Sequence, residues 1–302
     1  MELDGPAFVR DVQRPMSTAR MLAAVLPQAA RKQQGTIAKT IAPGPMKVRQ
    51  RGLRFETAHV EAYRRVCGYY AQPGSVPLPY PEMHFTGLIA EAVVSSRFPF
   101  SPLGLIHTAQ QVELHERLQP GDEVDATTEL LALRDTRRGY ELDFSMTVER
   151  NGRKAWSGVA TLLSRSADAR SGKTRQRRAA SQARAGGFEV TVPGNTGVRY
   201  ARVSGDFNPH HLWWFTARPF GYRRPIAHGM WTLARLLCEV LEGVDEDAPV
   251  QATATFKRPL LMPSRIRIEA QRLAPDLTEV PFAVRDAESG APHLLGAAAY
   301  SS

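Results

Sequence analysis

The sequence predicts an α+β protein built from one unit used twice, an antiparallel sheet packed on a helix. Three observations carry that reading. A strongly basic, weakly apolar stretch divides the chain into parts of similar length. The two parts begin alike: "YRRVCGYY" from Tyr63 and "YARVSGDF" from Tyr200 share Tyr, Arg, Val and Gly at equal spacing. Each then runs through a Pro and a His, an apolar segment suited to a helix, and a series of strands with turn signals.

The elements follow in order. Residues 1–44 form an N-terminal extension, in which "RMLAAVLPQAARK", interrupted by Pro27, reads as a short amphipathic surface helix of open role. The first repeat spans 45–165. It contains "PEMHFTGLIAEAVV" from Pro81 as its helix, "VELHERLQPGDEV" as a strand ending in a Pro turn, and "VERNGRKAWSG" as a hairpin around Asn151 and Gly152. Residues 166–186 are a basic linker. From Arg165 to Arg184, seven basic residues stand against Asp168 alone, with neither helical nor strand periodicity. The second repeat spans 187–302. Its helix follows "PIAHGM": Leu233, Leu236, Leu237, Val240 and Leu241 mark one buried face, and Gly243 is placed to close it. "ATFKRPLLMPSRI" repeats the strand and Pro turn, and "LAPDL" and "ESGAP" separate later strands.

Composition narrows the function classes. No apolar run approaches the roughly 18 residues of a membrane span. Cys67 and Cys238 are far apart and lack metal-site spacing, so no disulfide framework or zinc site is expected, and a reducing cytoplasm fits. The formal charge of +9 is concentrated in the linker, where no aromatic residues are interleaved for base stacking, so no nucleic-acid partner is expected.

The chemistry-bearing stretch is "VSGDFNPHHLWW", Val203 to Trp214. An Asn-Pro turn separates Asp206 from His211, which allows carboxylate and imidazole to converge on one water. Imidazole suits that work because its ordinary pKa lies near neutrality. Downstream, Gly229 opens the amphipathic helix. Without a Cβ it admits a carbonyl oxygen close to the unpaired N–H groups of a helix N-terminus, which makes an oxyanion site. By the residues alone, a turn-forming Asp and Asn beside a packed His is an equally good account.

The pattern of Tyr200 ahead of Ser204, Gly205, Asp206, Asn208, Pro209 and His211, with "IAHGM" at Ile226 to Met230, resembles the MaoC-like, or hydratase-2, family of (R)-specific enoyl-thioester hydratases and 3-hydroxyacyl-thioester dehydratases. The resemblance implies a double hot-dog fold, two antiparallel sheets each wrapped around a long helix. It implies Asp206 and His211 as the water-activating pair, the Gly229 amide as the oxyanion donor, and Ser204, Asn208 and His228 as residues shaping the site. It implies no metal and no cofactor beyond the coenzyme A or phosphopantetheine of the substrate. His210 occupies the family's aliphatic position, and spacing favours His211 as the inward imidazole. Tyr69 falls opposite Asp206 and Phe85 opposite Gly229, so the first repeat is expected to be catalytically degenerate and to make room for a longer acyl chain. His84 is given a packing role, and His107 and His115 none. Arg223 and Arg224, with Arg218 nearby, are candidates for the phosphates of the substrate or for an acidic carrier protein. The expected assembly is a monomer acting as a pseudo-dimer, or a homodimer. A hot-dog thioesterase and a non-catalytic acyl-thioester-binding protein are the competing readings.

Overall fold

In the computed structural model, the described residues are 3–17, 19–21, 23–24, 44–69, 74–102, 104–165 and 187–301. The linker expected over 166–186 and most of the helix expected over 20–32 lie outside them. The first half contains β2 (Met46–Arg54), α1 (Thr57–Cys67), a 3-10 turn (Tyr80–His84) leading into α2 (Phe85–Val93), then β3 (Leu105–Leu114), β4 (Glu123–Thr136), β5 (Gly139–Arg150) and β6 (Arg153–Arg165). The second contains β7 (Phe188–Val192), α3 (Thr196–Ser204), the four-residue α4 (Trp214–Ala217), α5 (Gly229–Val240), then β8 (Val250–Phe256), β9 (Ser264–Glu269), β10 (Val280–Asp286) and β11 (Pro292–Tyr300).

Strand order is the same in both halves. From the outer edge inward the first half reads β2-β4-β5-β6-β3 and the second β7-β9-β10-β11-β8. The inner strands β3 and β8 pair antiparallel, from Ala109 opposite Thr255 to Leu114 opposite Val250. This corrects the expectation of two sheets: the described strands form one eleven-stranded sheet. The physical reason is that an inner strand left as an edge exposes unpaired N–H and C=O groups, which the other half's inner strand satisfies. The eleventh strand comes from the extension: β1 (Phe8–Val12) pairs parallel with β2, and Arg10 reaches buried Glu91 on α2 at 3.0 Å.

Local chemistry explains the elements. Asn151 and Gly152 both take positive φ, 53° and 75°, the geometry of a two-residue type I′ hairpin between β5 and β6. In α5, Leu233, Leu236, Leu237 and Val240 are fully buried. The helix ends at Val240, and Gly243, with φ of 84°, sits in the turn just beyond, which Val244 N–H closes on Leu241 O. The first-half helix α2 is short rather than long: Phe98 N–H turns back to Ser95 O, and Pro99 cannot continue a helix.

The halves share one core. Trp231 of α5 donates its indole N–H to Val66 O of α1 at 3.1 Å, and Tyr63 and Tyr200, aligned by sequence, meet at a ring separation of 6.1 Å. His59 of α1 is a latch between halves. Its Nε2–H donates to Val203 O at 2.8 Å, which leaves Nδ1 to accept from Tyr80 Oη at 3.0 Å. His59→Phe strips both partners and is expected to lower the unfolding free energy by about 1–3 kcal/mol. The urea midpoint followed by circular dichroism measures this, and an unchanged midpoint would show that the latch carries no stability.

Candidate active site

Helix α3 ends at Ser204, with Gly205 in the left-handed conformation as its cap, and the chain then enters the Asp206–His211 turn. Asp206 Oδ1 accepts from Asn208 N–H at 3.1 Å and from Asn208 Nδ2 at 2.6 Å, while its own N–H reaches Ser204 Oγ at 3.2 Å. These bonds fix the carboxylate and leave Oδ2 pointing at two imidazoles, 3.9 Å from His211 Nε2 and 3.7 Å from His228 Nε2.

The backbone decides which ring nitrogens carry protons. His211 Nδ1 lies 2.8 Å from Ile226 O, and His228 Nε2 lies 2.9 Å from Asp206 O. A carbonyl only accepts, so each of these nitrogens donates. His211 therefore presents the lone pair of Nε2 toward Asp206 Oδ2. The two rings stack at 3.6 Å, and both are held neutral. Burial, and next the neighbouring His228, push His211 well below its usual range, and burial brings His228 down to about 3. Two acceptors thus face each other across 3.9 Å. A water donating one hydrogen to each satisfies both, with its two O–H bonds at roughly the right angle for hydrogen bonds of about 2.8 Å.

Asp206, His211 and His228 also place three potential ligand atoms within 4.8 Å of one another. The His228 Nε2 proton is committed to Asp206 O, so that nitrogen offers no lone pair and the set lacks the third ligand of a closed metal site.

Gly229 begins α5 directly after His228. A Cβ there would stand 2.9 Å from the Phe256 ring of β8, so only glycine fits. The turn itself rests on Gly197 of α3, where a Cβ would come within 1.9 Å of His211 O. The His210 ring lies 4.1 Å from His211, 5.2 Å from Phe220 and 6.1 Å from Tyr222, and its carbonyl accepts from Ile226 N–H. Arg223 and Arg224 are exposed, and Arg224 donates to Pro263 O at 2.8 Å.

The first half supplies residues that sequence reasoning passed over. His107, assigned nothing, leaves β3 at a register shift and packs on Phe256 at 4.9 Å, backing the Gly229 position. Burial lowers it to about 4. Glu82, in the stretch "PEMHF", is buried, and burial together with the charge of Asp206 raises it to about 8. Its polar character inside an apolar run was the available signal. His84 stacks on Phe55 at 5.4 Å, Phe85 is buried against Trp156, and Tyr69 is buried with its hydroxyl unpaired. His115 stands apart, bonded to Ser157 at 2.8 Å. A cavity of about 630 Å³ opens behind the Asp206 turn, lined among others by Met16, Met83, His84, Gly87, Ser204 and Phe207.

The MaoC like domain family matches residues 176–282. The 3-hydroxyacyl-thioester dehydratase X of Mycobacterium tuberculosis is 32% identical over 215 residues, spanning 70% of this chain and 75% of that protein. The chain belongs to the MaoC-like family. The crystal structure of HtdX from Mycobacterium tuberculosis superposes on this MaoC-like chain with a TM-score of 0.71 at 26% identity, covering 84% of this chain and 100% of the other. A MaoC-like dehydratase from Phytophthora capsici shares the fold, with a TM-score of 0.68 at 19% identity over 88% of this chain and 98% of its own. These neighbours share the overall fold of this MaoC-like chain, in which each half repeats one strand order. Among its described residues no helix is long and apolar enough to cross a membrane.

The buried groups set opposing pH dependences. The lowered imidazoles cost stability as pH falls below 6.5, because the unfolded chain takes up protons that the native chain refuses. Glu82 acts the other way. Between its usual 4.5 and about 8 the native state holds a proton that the unfolded state has lost, so stability falls as pH rises through that window. Glu82→Gln is expected to flatten that fall and to raise the Tm relative to the parent chain as pH approaches 8. Thermal melts across the window test this, and parallel curves would remove Glu82 from the titration.

Proposed function

We propose that the chain is a hydro-lyase that adds water reversibly to trans-2-enoyl thioesters to give (R)-3-hydroxyacyl thioesters. One observation carries the reading: the Asp206 carboxylate and the His211 lone pair face each other at water-holding distance beside the open N-terminus of α5. The name of the 3-hydroxyacyl-thioester dehydratase relative supports the same chemistry.

In the hydration direction, the water held by Asp206 Oδ2 and His211 Nε2 adds its oxygen to C3 of the enoyl group. One of its protons passes to the pair, and electron density moves through the C2–C3 double bond to the thioester oxygen. The Gly229 N–H, at the positive end of α5, stabilises the enolate oxygen where its charge develops. The proton held by the pair is then delivered to C2, so that one H and one OH are added and the thioester stays whole. Dehydration retraces these steps. Stabilising the enolate at an amide and moving the proton through a positioned pair are each worth roughly two to four orders of magnitude in rate.

The substrate is an acyl thioester of coenzyme A or phosphopantetheine, with Arg223 and Arg224 as contacts for its phosphates. The apolar cavity behind the Asp206 turn suits the distal acyl chain. The reaction needs no metal or redox cofactor, and the two unpaired cysteines fit a reducing cytoplasm. Two halves of like strand order with, among the described residues, one Asp206–His211 pair between them make a pseudo-dimeric monomer the simplest working unit.

Asp206→Asn and His211→Ala are each expected to lower hydration of crotonyl-CoA and of a longer trans-2-enoyl-CoA by at least about a hundredfold with unchanged melting. Loss of the enoyl absorbance and the hand of the product are the readouts. Full activity in either variant, or release of free thiol in place of hydration, would refute the reading.

Gly197→Ala pushes against the carbonyl of His211 and is expected to lower kcat by roughly a hundredfold with little change in KM, because an ångström of misplacement at a proton-transfer group has that scale of effect. Steady-state kinetics over a range of enoyl-CoA concentrations separate the two constants. A variant defective in KM alone would show that Gly197 shapes binding rather than the pair.

A further inference from the structure

Nine large apolar side chains are exposed among the described residues, and five of them lie between Phe207 and Phe220, so the exposure is a patch rather than scatter. At its centre Trp213, Trp214 and Phe215 are 49%, 55% and 56% exposed. They are consecutive, and neighbouring positions of a helical turn point in directions about 100° apart. Three such residues are half-exposed together only if the turn stands out from the surface; within α4 the only buried residue is Ala217.

The rings contact one another. Trp213 stacks on Phe215 at 5.9 Å with planes 4° apart, and Trp214 meets Phe215 edge-on at 5.8 Å. The knob is held rigidly to the body, because Thr216 Oγ1 donates to Pro209 O at 2.7 Å and Trp213 N–H reaches Thr216 Oγ1 at 3.1 Å.

Positive charge surrounds it. The Arg218 guanidinium sits 5.2 Å over the Trp214 ring. Tyr222 N–H bonds back to Ala217 O, so Arg223 and Arg224 follow on the same loop, both exposed. Arg134, Arg150 and Arg285 elsewhere on the surface each pair with a carboxylate. Among the described residues Arg218, Arg223 and Arg224 pair with none; Arg224 spends one N–H on Pro263 O.

We propose that this turn docks the protein on an anionic lipid surface. Trp213, Trp214 and Phe215 enter the headgroup layer, and Arg218, held over the Trp214 ring, meets the lipid phosphates, while Arg223 and Arg224 add positive charge to the same face. Indole and phenyl rings flanked by arginine match the interfacial zone of a bilayer, where the ring is taken up by the acyl boundary and the cation by the headgroups. A protruding knob suits a fluid surface. A protein partner would instead require a complementary recess for each ring. Phe220 and His210 link the knob to His211 through ring contacts of 5.2 and 4.1 Å, so docking would bring the candidate site to the lipid boundary. The inference does not depend on which reaction that site performs.

The test is co-sedimentation of the full chain with phosphatidylcholine–phosphatidylglycerol vesicles and with pure phosphatidylcholine vesicles, at low and high salt. The chain has four tryptophans, of which Trp156 and Trp231 are buried, so a blue shift and quenching by brominated lipid report on Trp213 and Trp214. Binding to the anionic vesicles that weakens with salt, with quenching, is expected. A combined Trp213→Ser, Trp214→Ser, Phe215→Ser variant, with melting unchanged, should bind at least about tenfold less. The proposal is overturned if the parent chain ignores anionic vesicles, or if the variant binds them equally. It is also overturned if the substitutions instead dissociate a self-associated form, or if an acidic carrier protein is bound while vesicles are not.

Discussion

The antiparallel pairing of β3 with β8 is the contact on which the rest of the molecule depends. Each half ends inward on a strand whose backbone groups need a partner, and each strand's partner is the other half's equivalent. That pairing sets the distance and rotation between the halves. It brings α1 against α3, Tyr63 to Tyr200 and His59 to the carbonyl of Val203. It also carries His107 of the first half onto Phe256 of the second, behind the start of α5. A site written almost wholly in one half is therefore walled by both.

Within the site, the controlling principle is that buried donors must be satisfied and that carbonyls can only accept. His211 and His228 each give their N–H to a backbone oxygen, so neither proton is free and burial keeps both rings uncharged. Asp206 has one oxygen filled by Asn208 and one left open. The result is a pair of acceptors, Asp206 Oδ2 and His211 Nε2, facing each other at 3.9 Å. His228, which the family resemblance implied only as shaping the site, holds the backbone of Asp206 and stacks on His211.

The two halves have diverged in what they contribute. The second keeps the Asp206 turn and the glycine at the start of its helix, whereas Phe85, at the matching place in the first, is buried against Trp156. The first half contributes a carboxylic acid that stays protonated near neutrality, a neutral imidazole and part of the wall of an apolar cavity. Of these, Glu82 lies near enough to Asp206 to feel its charge, and His84 lines the cavity with Ser204 and Phe207.

Much of this was legible in the residues. Local chemistry fixed the I′ hairpin at Asn151 and Gly152, the buried stripe of α5, and the convergence of Asp206 with His211 across an Asn-Pro turn, because each depends on neighbours within one or two turns of chain. Repetition of "YRRVCG" as "YARVSG" indicated the duplicated unit. Other features needed the tertiary structure, because they join residues far apart in sequence that carry no mark of each other. The fusion into one sheet rests on β3 meeting β8. The strand at Phe8–Val12 forms only because β2 offers it an edge, and the early stop of α2 and α5 follows from turns just past each helix. Which His faces the carboxylate was suggested by spacing, yet the protonated nitrogen of each ring was set by carbonyls at Ile226 and Asp206. The raised carboxyl of Glu82 and the lowered imidazole of His107 were not legible in the residues, since a carboxyl or imidazole acquires an altered proton affinity from its surroundings and not from its place in the chain.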